Sequence, residues 1–232
     1  MEAIAIISTQ NATLVSLKFF TDHSLIWMKI MSYSQFSIET VETAFGISIM
    51  EAAGIFADIS PVKYSDFLAQ ILKKYLPLAL AIGTEKARSE LILTPILLEL
   101  KEQLQNQISL FSGREFNVSP EKGLNGFCAF LISKSPEQII IKSPVIALVE
   151  AKNDNIQSGL GQCIAEMIAA QLFNQQKGNE IPTVYGSVTT GTNWKFIRLT
   201  GQVVEIDLNE YFISDVGQIL GILKSFCESS NN

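Results

Sequence analysis

The sequence predicts an α/β protein, a mixed central sheet flanked by helices with an N-terminal helical extension. Three observations predict it. Of 232 residues, 47% are apolar and only 17% charged, which fits one sizeable core and perhaps an appendage rather than a disordered chain. Hydrophobic periodicity is helical up to Leu104 and alternating beyond it. A helical stretch then interrupts the alternation, so the later strands are joined through a helix.

The elements follow in chain order. Residues 1–30 show no clear helix stop, and "MSYSQFSIETVETAFGI" reads as a natural beginning at Met31. We read 1–30 as a poorly specified extension, with a short β-ribbon or a swapped arm as alternatives. Residues 31–83 form a helical N-terminal region. Ile38, Val41 and Phe45 recur at helical steps, and Gly46 stops the run. The apolar stretch "SIMEAAGIFADIS" ends at Pro61. Ser65 or Asp66 caps a second helix that buries Phe67, Leu68, Ile71, Leu72 and Tyr75, and Pro77 should end or kink it.

Thr84 caps the longest helical signal, "TEKARSELILTPILLELKEQLQ", with Leu91, Ile92, Ile96, Leu97, Leu100 and Leu104 on its apolar face. Pro95 inside it predicts a kink or two helices. Four strands are expected next: "SLFSGREFNVS", "GFCAFLIS", "QIIIKSP" and "PVIALVEAK". The following helix carries Ile164, Met167, Ile168 and Leu172 on one face, and Ala165, Ala169 and Ala170 let it lie close to a sheet. "TVYGSVTT" is another strand, and "WKFIRL" with "QVVEIDL" makes a hairpin across Thr200-Gly201. A last helix starts near Ser214 or Asp215 and buries Val216, Ile219, Leu220, Leu223 and Phe226.

Composition restricts the function classes. The formal charge is −6. Domains that bind DNA over a wide face are usually basic, so this balance counts against one, although a local basic strip could survive within it. Cys128, Cys163 and Cys227 are odd in number and include no CxxC, which fits reduced thiols in a cytoplasmic protein. No apolar run reaches the ~18 residues that cross a bilayer, so no membrane partner is expected. "MEAIAIISTQNATLVSLKFF" lacks the basic region of a secretory signal. His23 is the only histidine, which excludes multi-histidine metal sites. "GLGQ" and "GSVTTGTNW" have neither the spacing nor the lysine of a phosphate loop.

The stretch "SPVIALVEAKNDN" carries the chemistry. Two residues apart on a strand, Glu150 and Lys152 project to one side. They close an otherwise apolar strand at its C-terminal end, where α/β sheets place ligands. A solvated ion pair ending an ordinary strand is the alternative. On "WKFIRL", Trp194 and Phe196 share a face with Arg198, and Ile197 and Leu199 share the other with Lys195; packing is expected of the aromatics and solvation of the cations.

"PVIALVEAK", preceded by "GLNGFCAFLIS" and followed by a Gln-bearing helix, resembles the PD-(D/E)xK nuclease superfamily. The nearest flavour is the N-terminal nuclease domain of type I restriction motor subunits and their small stand-alone relatives. The resemblance spans Thr84 to Leu199. "KARSELILTPILLEL" is similar to that group's leading helix and "TTGTNWKFIRL" to its strand after the core. It implies a restriction-endonuclease-like fold over residues 84–232 and a DNA endonuclease dependent on Mg²⁺, or Mn²⁺, or else a degenerate relative. In that family an Asp on one strand and the Glu of ExK on the next hold the metal, while the lysine orients water or stabilises developing charge.

By position Glu150 matches the metal-binding Glu and Lys152 the lysine. Glu90 resembles the accessory acid of the leading helix, and Gln162 the glutamine beside the lysine. A solvated helix charge and a surface amide are their alternatives. Glu166, one turn past Gln162, reads as structural. The family's Asp falls just after Cys128, where this chain has Ala129, and an alanine cannot ligate a metal. No Asp occurs from Arg114 to Lys152, and Glu115, Glu121 and Glu137 do not fit the alternation. Two readings follow: a Mg²⁺-dependent nuclease or degenerate relative that meets DNA, and a non-catalytic nucleic-acid- or protein-binding module that keeps the nuclease fold. A homodimer is compatible with either.

Overall fold

The computed structural model describes residues 7–9, 12–14, 31–179 and 181–228. The chain is α/β, with an eight-stranded mixed sheet flanked by helices. Of the N-terminal extension, strands β1 (Ile7–Thr9) and β2 (Ala12–Leu14) pair antiparallel as a separate ribbon; the rest of residues 1–30 lies outside the described residues.

Helix α1 (Ile38–Phe45) is capped by the Ser37 hydroxyl and stopped by Gly46 at φ 62°. The stretch after it is β3 (Ser48–Ala52), an edge strand parallel to β9 (Val203–Asp207). The helical N-terminal region therefore contributes a strand to the main sheet. Helix α2 (Asp66–Ile82) starts at a Ser65 cap and runs through Pro77 to Gly83. Pro77 neither ends it nor marks its boundary. Leu68 and Leu72 are buried, but Phe67 is 72% exposed, so the buried stripe is narrower than its apolar content predicts.

The long helical signal resolves into α3 (Glu85–Arg88), a π turn (Ser89–Leu93) and α4 (Thr94–Gln103). The wider turn absorbs the N–H that Pro95 lacks, and Thr94 Oγ1 donates to the Ser89 carbonyl across it at 2.9 Å. Strands β4 (Ser109–Glu115), β5 (Phe127–Ser133) and β6 (Val145–Ala151) form an antiparallel meander. "QIIIKSP" is not a strand. Ile139 is 87% exposed, and Gln138 takes both of Leu110's backbone groups with its amide, donating to the carbonyl at 2.6 Å and accepting from the N–H at 3.2 Å. A side chain thus occupies the edge positions that a strand would fill.

Helix α5 (Gln157–Gln176) crosses from β6 to β7 (Thr183–Thr189), which lies parallel to β6. Then β8 (Asn193–Thr200) and β9 form the expected hairpin. The short β10 (Tyr211–Phe212) pairs with β8, and α6 (Val216–Glu228) buries its predicted face. The main order is β3-β9-β8-β7-β6-β5-β4.

One core lies between the sheet and α2, α4 and α6, centred on Ile92, Ile96, Phe196 and Phe226. The other lies between the sheet and α5, closed over by Tyr33, Phe36 and Val41. Covered on both sides, α5 is buried almost all round from Gly159 to Met167. Gly161 makes this possible, because a Cβ there would sit 2.4 Å from the Phe36 carbonyl oxygen.

Candidate functional site

Strand β6 is buried along its whole length, and its alternation sends Glu150 to the α5 side with Leu148. Glu150 is only 3% exposed. Beyond the strand's end, the Lys152 N–H donates to the Thr189 carbonyl of β7 at 2.8 Å, which fixes the backbone from which the side chain turns. Gly159, in the first turn of α5, leaves room for that side chain: a Cβ there would lie 2.9 Å from Lys152 Cε and 2.7 Å from Val188 Cγ1. The "GLGQ" stretch thus serves close packing.

Three of the sequence-predicted residues meet here. Lys152 Nζ donates to Glu150 Oε1 at 2.7 Å and to Gln162 Oε1 at 3.1 Å. Gln162, 9% exposed, is no surface amide, and its Nε2 donates to Glu166 Oε1 at 3.0 Å. Glu166 has no exposed surface. One chain of contacts therefore runs Glu150–Lys152–Gln162–Glu166, with a single ammonium between two buried carboxylates. Among the described residues, Glu150 Oε2 and Glu166 Oε2 are buried and have no hydrogen-bond partner.

Burial pushes the Glu150 carboxyl up to about 7, opposing the pull of the Lys152 charge, while Glu85 raises it further and the Ala129 N–H lowers it by hydrogen bonding. Burial likewise holds Glu166 well above the usual carboxylate range, reinforced by the Glu150 charge. Burial works against the Lys152 ammonium, but Glu150 outweighs it, and the lysine titrates above its ordinary value. Burial and mutual repulsion thus both favour the protonated forms of the two acids, while Lys152 stays charged.

Glu90 is not gathered with these groups. It pairs with Lys86 at 2.7 Å on a solvated helix face, its side chain 59% exposed. The acid of the leading helix whose charge reaches both Glu150 and Lys152 is Glu85, at the first position of α3. Glu90 falls within the π turn, where the face no longer follows α-helical phase.

Ala129 acts on the site only through its backbone N–H, which lowers the Glu150 pKa. Its methyl packs against the α4 side of the sheet with Phe130. Leu131 and Cys128 both belong to the α5 side, so the alternation of β5 slips at Ala129. The residue opposite, between the pairs Ser112–Phe130 and Arg114–Cys128, is Gly113 at φ 57°. From β5 it is the Cys128 thiol that faces Glu166, and burial with that acid's charge raises its pKa far above a free thiol's.

A polar cleft of about 330 Å³ opens where the chain leaves β6, lined by Arg88, Asn153, Asp154, Gln157, Thr190, Asn193 and Glu210 among others. Arg88 Nη1 donates to the Thr190 carbonyl at 2.8 Å and ties α3 to its rim. The cleft holds one cation against two carboxylates.

The residues present do not fit a Mg²⁺ centre as they stand. Mg²⁺ takes near-octahedral oxygen ligands. Glu150 offers one uncommitted oxygen, Ala129 offers none, and among the described residues no three His, Cys, Asp or Glu side chains are grouped to hold a metal ion. No helix among the described residues is long and apolar enough to cross a membrane. Comparison with protein-family models gives no match, nor does comparison with curated proteins.

Proposed function

We propose that this chain is a PD-(D/E)xK-type protein of the degenerate kind: it keeps the ExK dyad and the supporting glutamine but lacks the metal-binding acid. The observation that carries this reading is the buried contact of Lys152 with both Glu150 and Gln162 at the end of β6. A solvated ion pair needs no such burial, and a lysine that merely packs needs no second acceptor from a helix. The mixed sheet with helices on both faces agrees with the reading. A polar cleft lined by Asn153 and Asp154, the residues that follow Lys152, lies next along the chain.

The chemistry follows from the donor set. Lys152, held as an ammonium, stabilises negative charge that develops beside Glu150. Without a second oxygen ligand, the polarisation of phosphate and water that Mg²⁺ or Mn²⁺ would supply is missing, so the wild-type chain hydrolyses phosphodiesters poorly or not at all. DNA is the expected ligand of this shell.

Nicking of supercoiled plasmid in Mg²⁺ tests the proposal. Wild type is expected to be inactive. Of the two aspartate placements, Ala129→Asp and Cys128→Asp, at least one should gain Mg²⁺-dependent nicking, and the gain should vanish when Lys152→Met is added. Cys128→Asp serves as a second placement, because the slip in β5 turns residue 128 towards Glu166. Inactivity of both aspartate variants, with the fold intact, overturns the proposal.

The formal charge of −6 and the acid-rich cleft favour a second reading, a non-catalytic binding module. Binding to single- and double-stranded DNA across a salt series separates the two. No association even at low salt points to a protein partner.

A further inference from the structure

We infer that Glu166 is a positioning residue: its carboxylate orients the Gln162 amide so that Gln162 Oε1, and not Nε2, faces the Lys152 ammonium. This rests on reading Glu150 and Lys152 as a nuclease-derived dyad, and it gives a working part to an acid whose sequence context suggests only a structural role.

A glutamine amide is two-faced. Its oxygen accepts, its nitrogen donates, and a half-turn about the last bond exchanges them. The neighbours of Gln162 are one-sided. Lys152 offers only donors, and the Glu166 oxygen that Gln162 meets, Oε1, offers only lone pairs, whether the acid is ionised or carries a proton on Oε2. With Nε2 3.0 Å from Glu166 Oε1 and Oε1 3.1 Å from Lys152 Nζ, one orientation satisfies both, while the flipped one sets donor against donor and acceptor against acceptor. Residues four apart on a helix lie over one another, so α5 presents Gln162 and Glu166 as a stacked pair.

Among the described residues nothing nearby substitutes for this arrangement. The Tyr33 hydroxyl, whose charge interaction with Glu166 marks it as a neighbour, donates to the Phe116 carbonyl at 2.6 Å. The Cys128 thiol is a weak donor. The Gln162 amide is the one N–H that Glu166 accepts among the described residues. Gln162 itself is buried, so water cannot take over the role of its partner. A carboxylate would not be kept in full burial beside a second acid for packing, since an apolar side chain packs there at lower cost.

The test uses the full chain and needs no activity. Lysine labelled with ¹⁵N gives an ammonium resonance for Lys152, assigned by its loss in Lys152→Arg, and its exchange with water reports how firmly the ammonium is held. In Glu166→Gln residue 166 no longer dictates the amide's orientation, and exchange should quicken by about tenfold, the scale of one weakened charge-assisted hydrogen bond. Gln162→Leu should quicken it as much. In the double variant Glu166→Gln should add nothing, because its effect passes through Gln162. Glu166→Met carries the same expectations and replaces Glu166→Gln if that variant does not fold. Unchanged exchange in the position-166 variant overturns the inference, and so does an equal extra increase in the Gln162→Leu background. Failure of the aspartate variants to cut DNA would sink the nuclease reading and leave the exchange result standing.

Discussion

Two charged clusters are buried in the same sheet, and they are completed to different degrees. At the end of β9, Asp207 has no exposed surface, yet both carboxylate oxygens are served. Oδ1 accepts from the Gly54 and Asn209 N–H groups at 2.8 and 3.0 Å, and Oδ2 from the Phe56 N–H and the Tyr211 hydroxyl at 3.2 and 2.9 Å. The adjacent buried Lys195 gives its ammonium to the carbonyls of Asp207, Leu208 and Asn209. At the end of β6, Glu150 and Glu166 share one lysine through one amide, and each leaves an oxygen without a partner. The first cluster ties two turns together. The second leaves buried polar atoms unpaired, which costs stability to keep.

The sharpest way to break this contrast is Asp207→Ala. It leaves three backbone N–H groups and the Tyr211 hydroxyl without their acceptor and should cost about 3 kcal/mol or more in denaturant unfolding. A loss near zero would remove the distinction between the clusters.

Smaller and opposite in sign is the effect of Glu166→Gln. Glu150 and Glu166 both have folded-state pKa values above their unfolded ones, so the stability they contribute is complete below about 4.5 and is lost as pH rises, through about 7 for Glu150 and through its own raised value for Glu166. Melting curves across this window should show the wild type losing stability with rising pH and Glu166→Gln losing less. Near pH 8 the variant should equal or exceed the wild type, by on the order of 1 kcal/mol. A steeper decline in the variant would contradict the buried acid pair. The smallest effect belongs to Glu90→Gln, which removes only a solvated pair with Lys86 and should change neither melting nor nicking by the aspartate variants.

The dyad was legible in the sequence because strand alternation is strict within a buried strand: Val145 to Ala151 admits one charged side chain, and Lys152 follows it on the same side. Gln162 was legible only through its place in the family pattern. Three features were not legible, each for a local reason. Glu85, at the start of α3, acts on the dyad by its charge, whereas Glu90 lies in the π turn and pairs with Lys86. The slip of β5 opposite Gly113 exchanges the faces of Cys128 and Ala129, and nothing in "GFCAFLIS" announces it. Glu166, one turn past Gln162, reads as structural in the sequence, and nothing in its context marks it as part of the site. Only the cover of Tyr33 and Phe36 over α5 makes it buried.

Most helices and strands followed from period and caps. The exceptions were "QIIIKSP", where the Gln138 amide replaces a strand, β3, which the region expected to be helical gives to the sheet, Pro77, which α2 runs through, and Phe67, whose helix buries a narrower stripe than its composition offers.

The most direct test is calorimetric titration of Mg²⁺ into the wild-type chain, the aspartate variants at 129 and 128, and Glu150→Gln. A retained dyad with a missing acid predicts no saturable heat for the wild type, saturable heat for at least one aspartate variant, and its loss when Glu150→Gln is added. Saturable Mg²⁺ binding by the wild type that disappears in Glu150→Gln would contradict the account, because it would mean the ion's ligands are already complete without an acid at either position.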